Sequence, residues 1–377
     1  MIYKGSEKMI EKRKYGLDIL RILSMFGIIG LHLFNNGGIL QGMNSNSITY
    51  YIVLLIYILC YVSVNVFAML SGFLYIKKQN IQTNKIIYLI SVTLFYCLTI
   101  TGIFYAFNLF NIRESGLLNF IISIFPPLAG RYWYITSYIL LFFMIPYINH
   151  FVLNISKEKL EKMIIILFIL LSILPTIFCL RDFFAINNGY SPFWLMYCYI
   201  IGAYVKLYSV QWKNHCWLVL LISNLLSWFL NSLVKFITSC IFGKILLNDI
   251  FINYISPLNV ISSICLLIIF SSMTLNVKKY RKVIEFFSAT SFSVYIIHSH
   301  VLVFDYVLKN SFINIVDYNV IIVVLIIILS IFMIYILCSL IDFVRMKIFD
   351  LLNVNKLIEN NYMKIMKLLS RRDYVRK

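Results

Sequence analysis

Charge is scarce in this sequence. Of its 377 residues, 13% are charged and 61% hydrophobic, and the mean hydropathy is +0.88. A soluble domain is near half apolar and a quarter charged, so a water-soluble globular chain is excluded and an integral membrane protein is implied. Acidic residues are scarcer still, 15 against 33 Lys and Arg, for a net charge of +18. Proline (6) and glycine (14) are sparse, which excludes long irregular linkers and leaves mostly unbroken helices. The eight cysteines are scattered through apolar stretches. With no C-x-x-C pair and no His/Cys spacing for zinc, they read as small buried hydrophobes, not as a disulfide framework or a metal site. No A-x-A-like cleavage site follows the first apolar run, residues 17–34, which therefore reads as a retained span and not a signal peptide. No internal repeat is visible, which disfavours the transporter folds built from duplicated halves.

What is present is apolar length. Stretches able to cross about 30 Å of hydrocarbon fall at 17–35, 50–75, 85–108, 131–150, 161–180, 190–208, 215–236, 250–275, 286–308 and 318–345. They predict an all-α, polytopic membrane protein of about ten transmembrane helices, with a basic N-terminus (1–16) and a tail (346–377). Segment 190–208 is the weakest of them, aromatic-rich and interrupted by Gly202. With the N-terminus inside, 26 Lys and Arg fall in inner segments and only 6 in outer loops. That asymmetry predicts a multi-pass protein of the cell membrane with both termini cytoplasmic. It also accounts for the net charge without nucleic acid, because the cations face anionic inner-leaflet lipid. The tail, "NKLIENNYMKIMKLLSRRDYVRK", reads as a basic amphipathic helix on that membrane surface.

The first span, "LDILRILSMFGIIGLHLF", contains Asp18, Arg21 and His32. A charge at the bilayer centre costs roughly 2.5–3.5 kcal/mol even on lenient insertion scales. At 100° per residue, Arg21 and His32 lie about 20° apart around the helix and Asp18 about 40° to the other side of His32. All three share one face. Arg21 and His32 are separated by about 16 Å of rise, so they mark the two ends of a column. One reading has Arg21 snorkelling to pair with Asp18 at i, i+3. The other has the column lining a wet cavity that rises from the inner face.

The sequence here resembles a known family. "GLDILRILSMFGIIGLHLF" is similar to the opening signature of the acyltransferase-3 family, integral membrane O-acyltransferases of bacterial surface glycans. That signature has an Asp, an Arg three residues on, and a His eleven after the Arg. "VNVFAMLSGFLY" (64–75), "RYWYITSYILLFFMIPYIN" (131–149) and "FSVYIIHSHVLV" (292–303) resemble its later motifs in family order. Two departures stand out. Asn65 occupies a position where much of the larger branch has Asp, and an arginine cluster after Ser-Gly-Phe is reduced to "KKQNIQTNK", with Lys77, Lys78 and Lys85. Lysine lacks the bidentate fork of arginine for phosphate.

The resemblance implies transfer of an acyl group, in the simplest case acetyl, from cytoplasmic acyl-coenzyme A to a hydroxyl of a surface or lipid-linked glycan. Acyl-coenzyme A is then a co-substrate, and no bound cofactor is expected. His32 is the candidate base, since imidazole titrates near neutrality, or a transient acyl carrier. Arg21 and Asp18 stand at the donor's entrance. His298 is the second candidate, balanced against a simple interhelical bond. His300 points about 200° away and reads as packing or pore lining. Asn65, Ser71 and Tyr295 are candidate cavity liners, whereas Gly72 reads as a close-packing residue. Arg131, Trp133 and Tyr134 can hold a sugar ring by stacking, although interfacial aromatics are ordinarily a lipid belt. The loop 109–130, with Pro126-Pro127, is a candidate to dip toward the cavity. The rival reading is a non-catalytic glycan exporter with the column as a conduit. A polymerase is disfavoured by outer loops of at most 22 residues.

Overall fold

The computed structural model describes residues 13–78, 84–109, 112–179, 183–208, 213–244, 247 and 249–374, and these residues contain helices and no strand. Residues 1–12, 79–83, 375–377 and Arg181, parts of the predicted N-terminus, lysine-bearing loop, tail and outer loop, lie outside them. The major helices are α1 (Tyr15–Asn35), α2 (Ile48–Tyr75), α3 (Asn84–Ala106), α4 (Ile112–Ile124), α5 (Trp133–Asn154) and α6 (Lys157–Ile177). They continue as α7 (Pro192–Tyr208), α8 (Lys213–Phe242), α9 (Pro257–Ser272), α10 (Arg281–His298), α11 (Val320–Leu351) and α12 (Val354–Tyr374).

Each of the ten predicted segments coincides with helix, but not all are full spans. Among the described residues seven helices are long and apolar enough to cross a membrane, and an eighth if α10 is joined to the segment that follows it. α7 and α9 are shorter, with 17 and 16 residues. The predicted 250–275 span begins only at Pro257, because residues 249–256 are turns tied back by side chains. Ser227 Oγ donates to Phe251 O (2.6 Å), and Asn259 donates to Asn253 O (3.1 Å). The predicted 286–308 span is likewise not one rod. α10 stops at His298 and the chain bends by 64° before Val301, with neither Pro nor Gly at the break.

α1 and α2 form the centre. About 67% and 72% of their most apolar windows are buried inside the protein, against 22% for α6, α8 and α11, whose apolar sides face outward as lipid-exposed helices do. α2 and α7 touch backbone to backbone. A Cβ on Gly72 would stand 1.9 Å from Tyr199 O, and one on Gly202 would stand 1.9 Å from Met69 O. These are small-residue contacts that let membrane helices approach closely, so Gly202 interrupts the aromatic pattern of α7 for a steric reason.

Segments predicted to share a side of the membrane converge. Lys14 and Lys206 both lie over the Phe73 ring, and Lys14 donates to Ser271 O. At the opposite end the 36–47 turn binds the 304–313 segment through Asn310 N→Asn36 O and Phe312 N→Gly37 O, both 2.9 Å. Lys235 of α8 also donates to Ser45 O there, with its ammonium 4.0 Å from the Tyr50 ring centroid. α12 docks along α3 and α11 after a turn at Asn353, whose φ is 51°. Two cysteines, Cys179 and Cys240, are exposed, while the other six are buried as predicted.

Candidate active site

α1 and α10 run parallel, and their polar residues meet at two levels. At the basic end, Asp18 is buried. Its Oδ2 accepts from Arg13 Nε (2.7 Å), and its Oδ1 accepts from Ser288 Oγ (2.8 Å). Arg21 donates to the same Ser288 hydroxyl (2.9 Å) and stands 3.6 Å from Asp18 Oδ1. Both readings of the i, i+3 pair are therefore present in one cluster: the ion pair forms, and the guanidinium still faces the interior cavity. Arg13, just before the helix, is held above its ordinary pKa chiefly by its hydrogen bond to Asp18.

At the upper level His32 Nδ1 lies 2.9 Å from His298 Nε2. His298 Nδ1 lies 2.6 Å from Val294 O, which can only accept. The hydrogen-bond network thereby assigns the protons. In neutral rings, His298 carries its proton on Nδ1 and offers the Nε2 lone pair. His32 carries its proton on Nδ1 and keeps Nε2 as a free base. Ser299 Oγ is 3.4 Å from both rings, and Phe304 packs edge-on to His32 at 4.8 Å. His298 is thus the last residue of its helix, not a mid-span one.

His300 explains the break. Its ring donates from Nε2 to Ser123 O (3.0 Å) and accepts Leu302 N–H at Nδ1 (3.3 Å). It caps the next turn and ties it to α4, the packing role of the two expected for it. The loop around 109–130 packs on α3 and on the segment after α10. No residue from it lines the cavity among the described residues, because Ser123 O is engaged by Thr101 and His300, and Pro127 O by Thr136.

Arg21 and His32 line one cavity of about 320 Å³. Ser71, Trp133, Tyr134 and Tyr295 from the predicted set line it too, as do Tyr75, Tyr138, Tyr254 and Ser288, which were not singled out in the sequence. Its remaining wall is mostly apolar and includes Ile86, Leu89 and Ile90 of α3 and the rings of Phe67 and Phe292. Trp133 meets Tyr190 and Tyr254 at ring centroid distances of 4.6 and 5.9 Å, and Tyr134 stacks on Tyr138 at 14° between planes. These aromatics form an internal wall and not a lipid belt.

Two predicted site residues lie elsewhere. Asn65 is fully buried away from the cavity. Its amide donates to Tyr254 O (2.8 Å) and accepts from Trp194 Nε1 (2.8 Å), which ties α2 to α7 and to the 254 turn. Arg131 is exposed ahead of α5, its neighbours held by Tyr132 OH→Ile296 O at 2.6 Å.

The family model described as an acyltransferase domain, the acyltransferase-3 model, matches residues 14–341. The chain belongs to that family. This acyltransferase has no significant match among curated proteins or solved structures. The matched span runs from the residue before α1 through most of α11, so it includes both halves of the His32–His298 pair and every residue of the cavity wall. α12 of the acyltransferase lies beyond it.

Proposed function

We propose that this membrane acyltransferase moves an acyl group, acetyl in the simplest case, from cytoplasmic acyl-coenzyme A to a hydroxyl of a surface or lipid-linked glycan. In this reading the protein sits in the cell membrane with both termini in the cytoplasm. The observation that carries the reading is the hydrogen bond between His298 and His32, which lines a cavity whose other end holds Arg21. Arg21, with the lysines at the basic end, attracts the donor's phosphates. The arm then rises along the apolar wall and brings the thioester to His32.

His32 Nε2 takes the proton of the acceptor hydroxyl as its oxygen attacks the thioester carbonyl. The C–O bond forms, the C–S bond breaks, and the proton passes to the departing sulfur. The imidazolium formed in between is steadied by His298, whose Nε2 accepts the His32 Nδ1 proton (2.9 Å). Trp133, Tyr134 and Tyr295 offer stacking faces and hydroxyls for the sugar ring. Asp18 positions Arg21 through Ser288 and touches neither substrate. A route through an acyl-imidazole on His32 uses the same atoms in two steps.

The test is transfer of labelled acetyl from acetyl-coenzyme A to an oligosaccharide by purified protein in vesicles. His32→Gln, still folded by gel filtration, is expected to abolish ester formation. Full esterification by that variant refutes the reading. Glycan translocation without any ester formed by the wild type identifies an exporter instead.

A further inference from the structure

The stretch "NNGG", residues 35–38, ends α1 one turn beyond His32. Asn36 N–H and Gly37 N–H both donate to His32 O at 2.9 Å, and Gly38 turns the chain away with a φ of 84°, a left-handed conformation that glycine adopts without steric penalty. Asn36 also reaches across to the segment after α10. Its Nδ2 donates to Phe304 O at 2.8 Å, and its own carbonyl accepts from Asn310 N. Phe304 opens a π-helical turn, Phe304–Leu308, just beyond the 64° bend, and such turns are frequent at functional sites. Phe304 N–H donates to His300 O (2.8 Å), and its carbonyl accepts from Lys309 N–H as well (3.0 Å). The backbone of Phe304 is thus fixed on both sides, and its ring centroid lies 4.8 Å from that of His32. The next three residues, Asp305, Tyr306 and Val307, are exposed, whereas Phe304 is half-buried and His298 is 2% exposed. Phe304 does not line the cavity, so its ring meets His32 from outside the space open to substrate.

We propose that Asn36 is a positioning residue for acyl transfer: by holding Phe304 against His32 it keeps water away from the His32–His298 bond. The inference rests on the transfer reading above. During transfer that bond steadies the His32 imidazolium, and a hydrogen bond to a charged group is stronger where water is excluded. Water admitted beside Phe304 offers His32 Nδ1–H a competing acceptor that is not held in place, and the relay loses its preorganisation. Neither Asn36 nor Phe304 touches donor or acceptor. A plain staple between α1 and the segment after the bend acts alike whether or not His298 is present, whereas a seal acts only through the imidazole pair.

The test is a set of substitutions read by transfer and by chemical access. Asn36→Ala and Phe304→Ala are each expected to lower kcat about tenfold and to leave KM for acetyl-coenzyme A unchanged. Phe304→Leu, which keeps an apolar side chain, is expected to restore most of the rate. In a His298→Ala background neither alanine substitution is expected to cost anything further, since the bond it protects is already gone. An equal loss in both backgrounds, or a rise in KM in place of a fall in kcat, overturns the assignment. Diethyl pyrocarbonate, which modifies unprotonated imidazole, reads the seal without any transfer. Modification of His298, followed by mass spectrometry, is expected to be slow in the wild type beside the exposed His150 and His215, and severalfold faster in Asn36→Ala and Phe304→Ala. Equal His298 reactivity in all three proteins overturns the seal even if no ester forms. A wild type that forms no ester refutes the transfer reading, and the reagent then decides the seal alone.

Discussion

Replacing His298 by Ala removes the acceptor of the His32 Nδ1 proton while leaving His32 itself in place. The lost contact is the 2.9 Å ring-to-ring bond. It becomes a bond to a charged group once His32 has taken the hydroxyl proton, and such bonds contribute about 1.5–3 kcal/mol. If that stabilisation exists only in the transition state, kcat falls about 10- to 150-fold. KM for the donor holds, because the Arg21–Ser288–Asp18 cluster at the other end of the cavity is untouched. Losing the base itself through His32→Ala costs more, on the order of 10²–10⁴. Groups that act as one unit are not additive, so the double variant is expected to be no slower than His32→Ala alone. Single-turnover transfer from labelled acetyl-coenzyme A measures all four proteins. Full kcat in His298→Ala refutes the relay. So does an equal loss from His298→Ala whether or not His32 is present.

Two further predictions concern the scaffold. A Cβ at Gly72 would stand 1.9 Å from a backbone oxygen, so Gly72→Val must part α2 from α7; a destabilisation of at least about 1–3 kcal/mol is expected as a lowered Tm in detergent, and an unchanged Tm contradicts the close approach. Arg345 chelates Asp342 through two bonds of 2.8 and 3.1 Å in the buried contact between α11 and α3, where Tyr96 also donates to Asp342 at 2.6 Å. Arg345→Met strands that carboxylate and is expected to cost about 3–5 kcal/mol, read by thermal unfolding, with Asp342→Asn in the same background restoring part of the loss.

The ten helical segments and the Asp18–Arg21–His32 face were legible because hydropathy and a 3.6-residue period report burial directly. The same period ran straight through residues 299–300, since no Pro or Gly marks the bend; the signal is a His300 side chain that caps the next turn, and its partner Ser123 is far away in sequence. Asn65 looked like a cavity residue because a polar group in an apolar helix has two explanations. Only the positions of Trp194 and Tyr254 decide between them. Ser288 sits ten residues before His298, nearly the spacing of Arg21 to His32. Two parallel helices with matched polar intervals could have been paired on that ground alone. Tyr75, Tyr138 and Tyr254 carry no such mark among 27 tyrosines.

The two imidazoles come from positions 266 residues apart. A nascent chain therefore threads nearly its whole length into the bilayer before the second ring can meet the first. Until then the pair is incomplete, and with it the relay proposed above. A chain that stops anywhere upstream of the ninth segment lacks the second ring altogether.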